Sequence, residues 1–324
     1  KKQKISRRML RAVVPRLASS LKAPLASRLP AVATWTARGL ATKLPEEVVA
    51  DHAWRQTNHI WSSQELETIE KTHHVPVTVT DRVVNTLMRT LYHGFNFITG
   101  YRAEDPSVSS VAWRLIILES VAGVPGFVAA GMRHFYSLRA LKRDHGFIYT
   151  FLEEAENERM HLLVCLKMFH ASAATRFLVL AAQLTMGPFL TVLYAFHPPA
   201  VHRFVGYLEE TAVETYGNLI AKAQTPGTQL YDAWTDLPAP AIAKTYWKLP
   251  DDASWIDTLK HICADEAHHR DVNHTHASLP SDAENPFIAD HMKDFDRAAL
   301  ERVQSALLGG AAAGHAEKPK VARH

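Results

Sequence analysis

The sequence predicts an all-α fold, a bundle of four long helices with two further amphipathic helices beside it. Three observations predict this. Apolar residues recur at three- and four-residue spacing through most of the span from Asp81 to about residue 278. The segments so defined are separated by helix breakers, namely Pro106, Gly146, the Pro198–Pro199 pair and the Thr225-Pro226-Gly227 turn. Two Glu-x-x-His pairs, Glu158 with His161 and Glu266 with His269, fall inside two of these segments, where a spacing of three puts both side chains on one helix face.

Residues 1–45 contain no Asp or Glu but eleven Lys or Arg. This acid-poor, Arg- and Ser-rich run is amphipathic from Met9 onward and reads as a mitochondrial transit peptide over 1–42, cut near Arg38 to Lys43. Without those eleven bases, 25 Lys and Arg face 33 Asp and Glu, a net charge of −8. The body is mildly acidic, which argues against the basic face that nucleic-acid binding requires. With 47% apolar residues in 324, the chain has enough to bury a sizeable core.

Residues 43–80, punctuated by Pro76, read as an arm over the surface. A helix starts near Asp81, placed to act as its N-cap. Long helices follow over about 107–142, 146–170, 173–197, 199–223 and 252–278, with a proline-rich connector at 236–250. The bundle domain is therefore 81–280, and 281–324 reads as a C-terminal helix with a flexible tail, low in complexity after Leu308. Cys165 and Cys263 sit within helical patterns, which fits small buried core residues and not a disulfide framework.

Phe177 to Phe196 is twenty residues without a charge, long enough to cross a bilayer. Gly187 and Pro188 interrupt it, and the helices on either side carry acids that must meet. A helix lying in one leaflet keeps those acids together where a span would separate them, so the expectation is monotopic attachment.

An acid-x-x-His match is weak evidence alone, since about two are expected by chance in a chain this rich in acids and histidines. Glu70 and His73 make such a match beside Val75-Pro76, outside any long apolar helix, and read as surface. The order along the chain is stronger. Glu119 stands alone in the apolar run LIILESVAGVPGFVAAGM, where an unpaired carboxylate costs several kcal/mol, so it must be neutralised or coordinated. Glu209 follows in YLEETAVETY. The sequence Glu, Glu-x-x-His, Glu, Glu-x-x-His, with separations of 39, 51 and 57 residues, is the donor set of a ferritin-like bundle holding two metal ions. Four carboxylates and two imidazoles suit iron or manganese and do not close a tetrahedral zinc site.

The strings LESVAGVPG, LEEAENERMHL, YLEETAVETY and ADEAHHRDVNH resemble, in order, the four signature boxes of the mitochondrial alternative oxidases, which are di-iron ubiquinol oxidases. The resemblance runs from about Asp81 to His276. It implies two iron ions on Glu119, Glu158, His161, Glu209, Glu266 and His269, with Tyr216 beside them as a hydrogen-bond donor or transient radical. It places Asn157 and Asp265 behind the ligands as orienting groups, and Trp247 matches a further family aromatic. Arg114, Leu118, Ala212 and Thr215 match the family's quinol pocket.

Two departures fall in that pocket. The family has three acids in a row where this chain has Glu209-Glu210-Thr211, and an Arg and an Asp one turn apart where this chain has Tyr92 and Asn96. Thr211 and Asn96 are thus expected to change how the pocket holds quinol. The resemblance further implies oxidation of ubiquinol and reduction of dioxygen to water without proton pumping, by a homodimer on the matrix side of the inner mitochondrial membrane. Two other readings share the ligand pattern. One is a hydroxylase of quinone precursors, although such chains are shorter and lack the 173–197 helix in this form. The other is a non-enzymatic iron-storage or structural bundle, which predicts no lipid-facing helices.

Overall fold

A computed structural model describes residues 58–280 and 282–313; the transit peptide expected at 1–42 and the beginning of the arm lie outside the described residues. The arm contributes one short helix, α1 (Ser63–Glu67), closed by a capping box between Ser62 and Glu65. Helix α2 spans Val79–Thr99. Its N-cap is Thr78, not Asp81. Asp81 is the N3 residue, and its carboxylate reaches back to the Thr78 amide in a capping box. Asp81 also pairs with Arg203 at 2.9 Å, both buried, so the residue read as a cap is also a tether between helices.

Helix α3 (Val108–Ala140) is followed by α4 (Phe147–Met168), α5 (Ala173–Phe196) and α6 (Pro198–Ala223). Two short helices, α7 (Gln229–Trp234) and α8 (Ala241–Trp247), occupy the connector. Helix α9 (Trp255–Ser278) starts at a Ser254–Asp257 capping box, and α10 (Ile288–Ala313) runs five residues into the stretch after Leu308 that the sequence reads as tail. Ten α-helices and no strand are present among the described residues, with one isolated bridge between Pro238 and Ser254.

The bundle is two packed pairs, α3 with α4 and α6 with α9. Helix α5 lies along α3, and α2 along α6. The glycines of VAGVPG explain how closely α3 meets α4. A Cβ on Gly126 would stand 2.7 Å from the Phe151 carbonyl oxygen, and one on Gly123 would stand 3.0 Å from that of Ala155. Only glycine permits this approach, and it brings Glu119 and Glu158 to one level of the bundle. The core below them is built from Val111, Leu115, Val164, Leu219, Trp255 and Leu259.

Among the described residues, two helices are long and apolar enough to cross a membrane, α3 and α5. They differ in burial: 39% of the apolar stretch of α3 is inside the molecule but only 11% of that of α5. Helix α3 is a core helix carrying the buried Glu119. Helix α5 turns Phe177, Leu180, Leu184, Phe189, Val192 and Phe196 outward, and α2 adds Val83, Leu87, Leu91, Phe97 and Ile98. Three polar contacts fasten α5 to the bundle along its length. Trp113 Nε1 donates to Thr175 Oγ1 at 3.0 Å, Gln183 Nε2 donates to the Ser120 carbonyl at 2.7 Å, and the Tyr194 hydroxyl lies 3.3 Å from His202 Nε2.

Candidate metal centre and its cavity

All six residues of the Glu/Glu-x-x-His pattern are buried in the middle of the bundle, one unit on each of α3, α4, α6 and α9. Glu119, Glu158, His161 and Glu266 offer donor atoms that all lie within 4.8 Å of one another. His161 Nδ1 stands 3.5 Å from Glu119 Oε2, 3.5 Å from Glu158 Oε2 and 3.3 Å from Glu266 Oε1. His269 Nδ1 completes the ring, 2.8 Å from Glu158 Oε1 and 3.5 Å from Glu266 Oε2. Glu209 faces the group from α6. Glu70 and His73 stay outside: His73 pairs with Glu210 at 2.6 Å and is half exposed.

Four of these donor atoms are buried without a hydrogen-bond partner: Glu119 Oε2, Glu158 Oε2, Glu266 Oε2 and His161 Nδ1. An unpaired polar atom in a dry interior is expensive, and four that converge on one point call for a cation. The proton affinities say the same. Burial, with Glu266 and Glu158 nearby and His161 opposing, pushes Glu119 up to about 8. Burial also drives Glu209 well above the carboxylate range, helped by Glu266 and Glu158. Glu158 goes the other way: burial opposes its ionisation, but His161 and His269 together hold it below its usual range. Both imidazoles are raised despite burial, His161 by Glu266 and Asp265 and His269 by Glu158 and Glu266. The cluster carries more negative charge than its own residues neutralise. Two divalent cations on these ligands would supply what protons otherwise must, so the residues fit a metal pair.

Asn157 and Trp247 both converge on Asp265 behind His161. Asp265 Oδ2 accepts from His161 Nε2 at 3.1 Å, from Trp247 Nε1 at 2.9 Å and from Asn157 Nδ2 at 2.9 Å. This fixes the His161 ring with Nδ1 turned to the carboxylates. Tyr216 donates to Glu119 Oε1 at 2.7 Å. Sequence reasoning missed two partners. Trp61, in the arm, donates to Asp265 Oδ1. Asn273, one turn beyond His269, donates to both oxygens of the buried Glu154, which burial pushes up to about 7. Trp61 carries no periodic signal. Glu154 and Asn273 had one, since each lies four residues from a ligand on the ligand's own helix.

A cavity of about 370 Å³ leads from α2 to the cluster. It is lined by Arg114, Leu118, Thr211, Ala212 and Thr215, and it ends on Glu119, Glu209, Glu266 and Tyr216. Asn96 stands behind this wall, its Oδ1 accepting from Arg114 Nη1.

Residues 61–278 match the family model described as "Alternative oxidase". The chain is similar to "Alternative oxidase, mitochondrial" of Cryptococcus neoformans var. grubii, at 40% identity over 258 residues, covering 72% of this chain and 64% of that one. A protein of the same description from Blumeria graminis is 39% identical over 259 residues, covering 74% and 71%. Another from Botryotinia fuckeliana is 42% identical over 243 residues, covering 68% and 67%.

Proposed function

The chain belongs to the alternative oxidase family, and from that premise we propose that it is a cyanide-insensitive terminal oxidase, oxidising two ubiquinols and reducing dioxygen to two waters at a pair of iron ions. The observation that carries the reading is the cavity. It is apolar along most of its length, as an isoprenoid quinol requires, and it ends at metal-ligating carboxylates. An iron-storage bundle has no use for such a passage.

Glu119, Glu158, His161, Glu209, Glu266 and His269 hold the iron pair, which when bound supplies the electron transfer from quinol to dioxygen. The protein's own residues do the rest. Asp265 keeps His161 aimed at the site through three further donors. Tyr216 holds a hydrogen at Glu119 Oε1, where it can be given to the site or taken from it. Arg114 and Thr215, linked at 3.3 Å, present polar atoms to a quinol head while Leu118 and Ala212 exclude water. Thr211 borders the same space with a hydroxyl already donated to the Leu208 carbonyl at 2.7 Å.

The protein works on the matrix side of the mitochondrial inner membrane as a homodimer, with the outward faces of α2 and α5 in one leaflet. Both faces flank the cavity wall, so quinol enters from the bilayer core without crossing water. A monotopic protein offers protons no path across the bilayer, so the oxidation is not coupled to pumping. Oxygen uptake by the purified, iron-loaded protein with ubiquinol, in the presence of cyanide, tests the reading. Cyanide-resistant uptake at one oxygen per two quinols is expected; no uptake, or uptake that cyanide stops, overturns it.

A further inference from the structure

The arm is fastened to the bundle at both ends. At one end Trp61 donates to Asp265 Oδ1. At the other, Arg270 Nη1 donates to the Glu70 carbonyl at 2.7 Å and the His74 amide donates to Glu210 Oε1 at 2.7 Å. Helix α1, between these points, has no buried residue. A cleft of about 700 Å³ opens under it, walled by Leu66 and Ile69 of the arm, Ile220 of α6 and Leu249 of the connector. Its floor is the seam between α6 and α9, at Val213, Gly217 and Cys263. Val213 lies four residues after Glu209, and Cys263 three before Glu266. Each therefore shares the ligand-bearing face of its own helix, about 6 Å and about 4.5 Å along the axis from the ligand. Small groups close the seam. Cys263 Sγ lies 3.9 Å from the Val213 carbonyl oxygen, and both residues are buried. Lys71 lays its stem over Gly217, where a Cβ would stand 2.9 Å from Lys71 Cε, and the residue remains exposed.

We propose that dioxygen reaches the metal centre from this cleft, through the seam between Val213 and Cys263, while quinol approaches from the α2 side. The inference rests on the oxidase reading for its substrate. The α2 cavity ends on Glu119, Glu209, Glu266 and Tyr216, so a quinol head seated there closes that approach to the second substrate. The arm cleft meets the same cluster one helical turn away, from the side of α6 and α9 that faces the arm. Packed side chains change rotamer without unfolding. Such an opening between a valine and a neutral thiol passes a diatomic apolar gas and stops a quinol. Fastening the arm at Asp265 and Glu210 holds the cleft open above the seam.

Two measurements test this. Crystals of the protein pressurised with xenon, a small apolar probe, should show xenon between Val213 and Cys263, and Val213→Phe should remove it. Absence of xenon from the seam of the unmodified protein overturns the inference. Stopped-flow mixing of the iron-loaded, chemically reduced protein with dioxygen times the arrival of the gas without quinol, at concentrations where the rate is proportional to dioxygen. Val213→Phe and Cys263→Leu, on opposite sides of the seam, should each slow that oxidation by about fivefold or more through overpacking, with iron content unchanged. In steady state the same variants should raise the KM for dioxygen while the KM for ubiquinol stays within about twofold. Unchanged rates in both variants with iron retained overturn the inference. If both variants lose iron, the xenon result on the unmodified protein decides. Oxidation of the reduced iron needs no quinol, which separates the two readings. Seam dependence without any ubiquinol turnover keeps the gas path and ends the oxidase reading; ubiquinol turnover with rates insensitive to the seam ends the inference alone.

Discussion

Tyr216 donates its phenolic hydrogen to Glu119 Oε1 at 2.7 Å, from α6 to α3 across the mouth of the metal cluster. Both residues are buried, and Glu119 Oε2 has no partner of its own. One oxygen is thus committed to the tyrosine and the other is left for a metal. Tyr216→Phe removes the hydroxyl and little else. It should leave the iron content near that of the unmodified protein, because the ligand atoms remain. Oxidase turnover should fall on the order of 10²-fold, the usual worth of a positioned proton donor. Iron by atomic absorption and oxygen uptake on the same preparation measure both. Loss of iron in step with activity would assign the tyrosine a structural role only.

The ligand assignment predicts a different pattern. Glu266→Ala or His161→Ala should abolish oxidation and lower iron content while the bundle still folds by circular dichroism. Each removes a donor from a cluster whose members lie within 4.8 Å of one another, leaving the other buried carboxylates less compensated. Turnover at the unmodified rate in either variant would remove that residue from the ligand set.

Attachment to one leaflet is tested by extraction and proteolysis. The bundle anchors α5 at Thr175, Gln183 and Tyr194 while Phe177, Leu184 and Phe196 face outward. Sodium carbonate should leave the protein with the membrane, and protease on the intermembrane side should not cut it. Cleavage from that side would establish a span.

Most of the bundle and its buried Glu/His cluster were legible because they obey a helical period: Glu158 with His161 and Glu266 with His269 share faces by spacing alone. Glu119 was legible through cost, as a lone acid in an apolar run. Trp61 was not, because its bond to Asp265 joins residues 204 apart and leaves no local pattern. The N-cap at Thr78 was missed because Thr78 and Asp81 are both capping residue types, and only their reciprocal bonds decide which is the cap. That Arg114 bonds to the neutral Asn96 and Thr215 and to no carboxylate among the described residues was hidden too, since a charge balance depends on what packs around it.

Stability should depend on pH through histidines outside the metal centre. Burial pulls His202 down to about 4 and His276 down to about 3, with their rings packed against Phe151. An unfolded histidine titrates near 6.5, so between 6.5 and about 4 the unfolded chain binds more protons than the folded one. This contribution is fully present above pH 6.5 and is lost as pH falls toward 4, by about 3 kcal/mol for His202. The melting temperature should therefore drop over that window. His202→Asn, which does not titrate there, should flatten part of the drop; an unchanged slope would show that His202 takes up no proton on unfolding.

The last prediction concerns Thr211, which borders the cavity where the family carries a third acid. Its hydroxyl donates to the Leu208 carbonyl at 2.7 Å, so it can offer a quinol only a lone pair. A carboxylate would accept a stronger, charge-assisted bond from a quinol hydroxyl, worth about 1 kcal/mol more. Thr211→Glu should accordingly lower the KM for ubiquinol by about tenfold or less, since roughly 1.4 kcal/mol is one decade. The kcat should change little, because the metal ligands and Tyr216 are untouched. Like-charge repulsion works against the substitution: Glu209 and Glu210 are the two preceding residues on α6, and Glu210 is already bound by His73 and His274 at 2.6 and 2.8 Å. Steady-state kinetics with a soluble ubiquinol analogue separates these effects. A lower KM places the quinol hydroxyl at position 211. A fall in kcat with KM unchanged means that the added charge disturbs Glu209, and no change in either means that this wall of the cavity does not touch the quinol head.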